Sequence, residues 1–127
     1  TLATFEISGQ VVIDALENGV SQVEDVKGRF PQVAGLRFIW DPSIAPNEGR
    51  IVEVLVAKGN GFVPIDPAAN YMVVSNNYVR TGGDGYKMFR SAQNAYDYGP
   101  GLEVVLANYM ASQGSYVPYL DGRIAQK

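Results

Sequence analysis

Two β-rich runs divided by turn chemistry limit the fold more than any other feature. Val33 to Trp40 reads Val-Ala-Gly-Leu-Arg-Phe-Ile-Trp and is closed by Asp41-Pro42. Asn47-Glu48-Gly49 is a turn signal. Arg50 to Ala57 follows it, with Ile51, Glu53 and Leu55 alternating against Val52, Val54 and Val56. A period of two residues sends neighbouring side chains to opposite faces, the mark of a strand. Leu2 to Ile7 alternates in the same way. Tyr71 to Asn76 supplies a third central strand, after the turns Gly59-Asn60-Gly61 and Pro64-Ile65-Asp66-Pro67. Helical signals lie around these runs. Ser8-Gly9 stands where an N-cap would, and Val11, Val12, Ala15, Leu16 and Val20 share one face of a helix that ends near Gly19. Val23 to Arg29 is loop-like, Tyr86 to Tyr96 has weak helical character, and Leu102, Val105, Leu106, Tyr109 and Met110 mark an amphipathic helix ending near Gly114. Gly122 to Ala125 offers a last edge strand. The expectation is an α+β fold, with helices packed on a mixed or antiparallel sheet.

The 127 residues suit one domain, 1–127, large enough to bury a core. With 46% apolar and 18% charged residues the chain has globular rather than disordered composition. Its net charge of −3 provides no basic field for a polynucleotide or an anionic membrane, so neither is expected as a partner. No apolar run reaches the length of a membrane span. Cysteine is absent, which removes disulfides and thiolate chemistry. Histidine is absent as well, and it is the commonest transition-metal ligand and the usual general base near neutral pH. A self-contained metal hydrolase or Ser-His triad is therefore excluded. The chain opens on the strand pattern Thr1-Leu2-Ala3-Thr4-Phe5, as if cut from inside a longer protein.

The chemistry-bearing residues gather in two segments. In Asn76-Asn77-Tyr78-Val79-Arg80-Thr81-Gly82-Gly83-Asp84-Gly85-Tyr86 an aromatic stands beside a carboxylate cradled by glycines. Glycines allow positive φ and close approach of backbone to a ligand, and Asp84 between them can accept from two hydroxyls. The alternative is a tight Gly-Asp-Gly turn closing a hairpin, with Asp84 bonded to its own backbone and Tyr78 an ordinary strand aromatic. In Gly28-Arg29-Phe30-Pro31-Gln32, the proline biases Phe30 to extended backbone, so its ring is either a core plug or a stacking surface. Gln32 can donate and accept at once, which suits a base edge; a surface glutamine with no role is the plainer reading. Two facing rings, Phe30 and Tyr78, would stack a purine or pyrimidine. Arg37 and Arg50 read as solvated charges, Arg80 as a loop-tip charge near the site, and Trp40 as packing. Glu48, Glu53 and Asp66 show no pairing for acid–base work. Gly82-Gly83-Asp84-Gly85 fits neither a Walker nor a dinucleotide fingerprint.

Taken in order, Phe5-Glu6-Ile7-Ser8-Gly9, Ala15-Leu16-Glu17-Asn18, Gly28 to Phe38, Asn76-Asn77-Tyr78 and Gly82 to Tyr86 resemble the C-terminal, substrate-binding domain of the 5′-nucleotidase and UDP-sugar hydrolase family. The resemblance runs from about Leu2 to Ile124. It implies that Phe30 and Tyr78 stack the base, that Asp84 binds the ribose hydroxyls and that Gln32 contacts the base; Tyr78 stands where Phe is commoner. It also implies an N-terminal calcineurin-like metallophosphoesterase domain with two divalent metals, while this chain itself carries no cofactor. The family's Asn-Gly-Gly-Gly-Ile-Arg segment, whose arginine grips phosphate, has no counterpart in this sequence. The expectation is therefore an N-terminally truncated binding piece, unable to hydrolyse a phosphate alone, with a homodimer formed through the uncovered surface. A periplasmic, secreted or cell-surface location is implied by the resemblance alone. Rival readings are a related esterase acting on a UDP-sugar, a cyclic nucleotide or a sulfur compound, and a non-catalytic interaction module on the same fold.

Overall fold

A computed structural model describes residues 1–127. In chain order its elements are β1 (Leu2–Ser8), α1 (Gly9–Gly19), β2 (Leu36–Trp40), β3 (Ile51–Lys58), β4 (Gly61–Pro64), β5 (Asn70–Asn76), α2 (Asn77–Arg80), β6 (Gln93–Tyr96), α3 (Leu102–Gln113) and β7 (Ile124–Gln126). The α+β class is as the sequence implies, with the strands divided between two sheets. The chain falls into two compact units, each made of two stretches of sequence: Thr1–Ile7 with Tyr71–Leu120, and Ser8–Asn70 with Asp121–Lys127.

The first unit holds the sheet β5-β1-β6. Strand β1 buries Ala3, Phe5 and Ile7, every second residue, as its alternation requires. Phe5 packs against Phe89 with ring centroids 4.9 Å apart, and Phe89 stacks on Tyr86 at 5.4 Å. The Arg80 guanidinium lies 5.8 Å over the Phe5 ring and 3.5 Å from the Asp97 carboxylate. The weak helical character expected over Tyr86 to Tyr96 resolves differently. Lys87–Ser91 forms a 3-10 turn, Ala92 becomes extended, and β6 pairs antiparallel with β1. A neighbouring strand edge satisfies those backbone groups, which overrides a weak local preference. Helix α3 forms where expected and ends at Gly114, but it is not amphipathic in place. Its residues are exposed except for a half-buried Val105.

The second unit holds the sheet β4-β3-β2-β7. Strands β2 and β3 pair antiparallel from Leu36↔Val56 to Trp40↔Ile51, and β7 adds in parallel with Phe38↔Ile124. The turn at Gly59-Asn60 brings β4 back along β3, a short edge strand that Gly61 to Pro64 did not announce. Helix α1 is capped by Ser8, whose Oγ accepts from the Val11 amide at 3.3 Å. It buries Gly9, Val12, Ala15, Leu16 and Gly19, the stripe of a period near 3.6. A Cβ at Gly9 would overlap the Asp66 carbonyl, so the close approach there needs glycine. Phe38, Trp40, Val20 and Val54 are buried in this unit.

Candidate functional site

Phe30 and Gln32 belong to the second unit, and Tyr78 and Asp84 to the first.

The segment between α1 and β2 carries Phe30 and is fastened at several points. Arg50 is 2% exposed and acts as its main anchor. Its Nε donates to the Ile44 carbonyl at 2.6 Å, its Nη1 donates to the Val20 carbonyl at 2.7 Å, and its guanidinium pairs with Glu24. That partner holds the Glu24 carboxyl below its ordinary pKa. Arg29, next to Phe30, donates to Asn18 Oδ1 at 3.1 Å and to Ser21 Oγ at 3.2 Å. Further on, Arg123 Nη1 donates to the Val33 carbonyl at 2.9 Å. Arg123 also grips Asp121, and its hydrogen bonds lower the Asp121 pKa from 3.8 to about 2. Phe30 is half-buried: its ring meets Trp40 edge-on at 6.3 Å, and both line an open groove of about 610 Å³ with Val23, Pro42 and Ile124. Gln32 is exposed.

The other pair is arranged by backbone geometry. Asn76 caps the short helix α2, its Oδ1 accepting from the Val79 amide at 2.7 Å. Tyr78, on that helix, is 60% exposed. Gly82 at φ +102, Asp84 at φ +50 and Gly85 at φ +83 turn the chain back on itself. Asp84 is a non-glycine residue in the left-handed region, a conformation that aspartate tolerates better than most. The turn therefore follows a helix and does not close a hairpin. It brings the Asp84 carboxylate to 3.4 Å from the Tyr78 hydroxyl, a long contact. A Cβ at Gly83 would overlap the Tyr78 ring, so glycine is what lets that ring lie where it does. An exposed ring beside an exposed carboxylate can stack on a flat base and accept from hydroxyls.

Of the residues read as surface charges, Arg50 is the clear correction. It lies buried and spans three segments, because carbonyls and a carboxylate remote in sequence converge on it. Arg37 lies with its guanidinium carbon 4.4 Å over the Phe62 ring. Arg80 is engaged by Phe5 and Asp97, and also donates to the Phe89 carbonyl at 3.2 Å. Trp40 packs as expected, 5% exposed. No group of three or more His, Cys, Asp or Glu residues could hold a metal ion, and no helix is long and apolar enough to cross a membrane. The sequence reading does not include Arg50, Glu24 and Arg123 as anchors of the Phe30 segment. No local signal marks them, since an arginine opening a strand reads alike whether solvated or buried.

A family model described as "5′-nucleotidase, C-terminal domain" matches residues 1–91, a stretch containing Phe30, Gln32, Tyr78 and Asp84. The chain is 35% identical over 99% of its length to a trifunctional nucleotide phosphoesterase of Bacillus subtilis, covering 9% of that protein. It superposes on a 5′-nucleotidase precursor from Thermus thermophilus with TM-score 0.94 and 38% identity, covering 99% of this chain and 25% of that one. On the Haemophilus influenzae NAD nucleotidase the TM-score is 0.82 and the identity 28%, over 100% of this chain and 24% of the other. The chain thus spans a quarter or less of each of these three proteins.

Proposed function

Since this chain belongs to the family of 5′-nucleotidase C-terminal domains, we propose that residues 1–127 form a nucleoside-binding part of a phosphoesterase that releases phosphate from nucleotides. Phe30 and Tyr78 stack on the base, Gln32 meets the base edge, and Asp84 accepts from the ribose hydroxyls. The observation that carries this reading is the exposed pair Tyr78 and Asp84, set 3.4 Å apart by a glycine-supported left-handed turn. A backbone held in a rarely populated region persists only where its surroundings enforce it, and such sites are often functional.

Phosphate chemistry belongs, in this reading, to a metal-bearing domain outside this chain. The residues here provide no donor set for the two divalent metals. In such chemistry two metals activate a water and stabilise the leaving oxygen. This chain's share is to bind and orient the nucleoside. Its own affinity is expected to be weak, with a dissociation constant on the order of millimolar, or about −4 kcal/mol. The location that fits the reading is periplasmic, secreted or at the cell surface. The exposed apolar residues Leu102, Leu106, Tyr109 and Met110 of α3 support self-association or docking of the companion domain on that helix. Sedimentation across a hundredfold range of concentration separates the two, since only self-association gives a dimer of this chain alone.

The test of the substrate assignment compares adenosine with 2′,3′-dideoxyadenosine in wild type and in Asp84→Ala. Removing the hydroxyls and removing the carboxylate should each weaken binding about tenfold, and doing both should cost little more. Equal binding of the two ligands by wild type contradicts the role of Asp84. Saturable binding of a UDP-sugar or cyclic nucleotide, with none of adenosine, reassigns the substrate within the family. Indifference to every nucleoside leaves an interaction module.

A further inference from the structure

Phe30 is braced on one side and open on the other. Its ring centroid is 6.3 Å from that of Trp40, at an interplanar angle of 66°. Trp40 ends β2 almost fully buried, and the Arg50 guanidinium carbon lies 6.0 Å over its ring. Arg50 cannot drift, because the Val20 and Ile44 carbonyls and the Glu24 carboxylate all accept from it. The order therefore runs from a fixed cation to an indole and then to the Phe30 ring. Phe30 is half-buried, and part of its surface lines the open groove. An aromatic that stacks on a ligand loses rotamer freedom when it binds, and a ring already held in one orientation loses less.

We propose that Trp40 is a positioning residue for nucleoside binding, acting through Phe30, whose ring it holds in a single orientation with Arg50 behind it. This rests on the reading of Phe30 as a base-stacking residue. Trp40 is too buried to offer a ligand its own face. Its effect is to reduce the ordering that Phe30 undergoes on binding. Deleting it should weaken affinity while leaving the other contacts in place.

The chain has a single tryptophan, so indole fluorescence reports on Trp40 alone. In wild type, adenosine should change that emission along the same saturation curve that NMR gives; in Phe30→Leu the emission change should vanish. Trp40→Leu should weaken binding about fivefold, whereas Trp40→Phe, which keeps an aromatic edge, should stay within about twofold. The decisive variant is the double, Phe30→Leu with Trp40→Leu. It should bind no more weakly than Phe30→Leu alone, because nothing remains for Trp40 to act upon. A role in folding alone would not produce that pattern. Multiplying losses in the double, or wild-type affinity in a folded Trp40→Leu, would overturn the proposal. Should Trp40→Leu fail to fold, Trp40→Met takes its place in the same cycle. If wild type shows no saturable binding, the nucleoside reading falls and takes this inference with it. Wild-type binding with an unaffected Trp40→Leu removes only the role of Trp40.

Discussion

Phe30 stands on a loop and Tyr78 on a single short helical turn, and the chain fixes the two rings by different means. Phe30 is held by side chains: Trp40 meets its ring, Arg50 secures Trp40 and Glu24, and Arg29 and Arg123 tie down the flanking backbone. Tyr78 is held by backbone: an Asn76 cap starts its helical turn, and three residues at positive φ fold the chain back beneath it. A ring fixed by packing depends on atoms far away in sequence, whereas a ring fixed by backbone depends on glycines a few residues on. The two should therefore fail under different mutations.

The largest expected effect is on the Phe30 side. Arg50→Met keeps bulk but leaves the Val20 and Ile44 carbonyls without their donor. An unsatisfied buried acceptor costs about 1–3 kcal/mol, so a loss of about 3 kcal/mol in denaturant unfolding is expected. A loss under about 1 kcal/mol would mean that Arg50 is not the anchor. On the Tyr78 side, Gly83→Ala forces a methyl into the Tyr78 ring and should cost about 1–3 kcal/mol. Adding Tyr78→Ala should restore most of it; no recovery would place the strain in the backbone alone.

Smaller effects sharpen the contrast. The Phe30 segment also contains Val26, a β-branched residue at φ +53 that is almost fully exposed. Relieving that conformation with Val26→Gly should raise stability by about 1 kcal/mol, read as a higher unfolding midpoint. A drop would show that the valine is held there by a contact worth more than the strain. The smallest effect concerns Asp121, whose pKa Arg123 lowers from 3.8 to about 2. A folded-state pKa below the unfolded value gives stability that is present above 3.8 and is lost as the pH falls through about 2. Glu24 and Asp41 are shifted the same way, by Arg50 and by Ser43. Asp121→Asn should therefore flatten only part of the acid limb of a stability–pH curve. Because the pair is solvated, the change should be slight and should shrink further in high salt.

What the sequence disclosed follows the same division. Strand β1 and helix α1 could be read because alternation, a serine cap and a 3.6-residue stripe are local signals, and each survives in the packed molecule. The glycines around Asp84 were visible for the same reason: positive φ is a property of a few adjacent residues. Strands β4 and β6 were not legible, since four-residue edge strands are stabilised by the neighbour they pair with rather than by their own pattern. Arg50 misled because burial is decided by partners 26 and 30 residues away in sequence. Helix α3 shows the converse. Its local propensity sufficed to form a helix, but the face assigned to it from the sequence is exposed apart from a half-buried Val105.

The most direct test of the account is a titration of adenosine into isotope-labelled protein, following the signals of Phe30, Gln32, Tyr78 and Asp84 together by NMR. Saturable shifts at all four, along one binding curve with a dissociation constant near millimolar, are what the account predicts. The absence of shifts up to the solubility limit, or shifts confined to residues other than these, would contradict it.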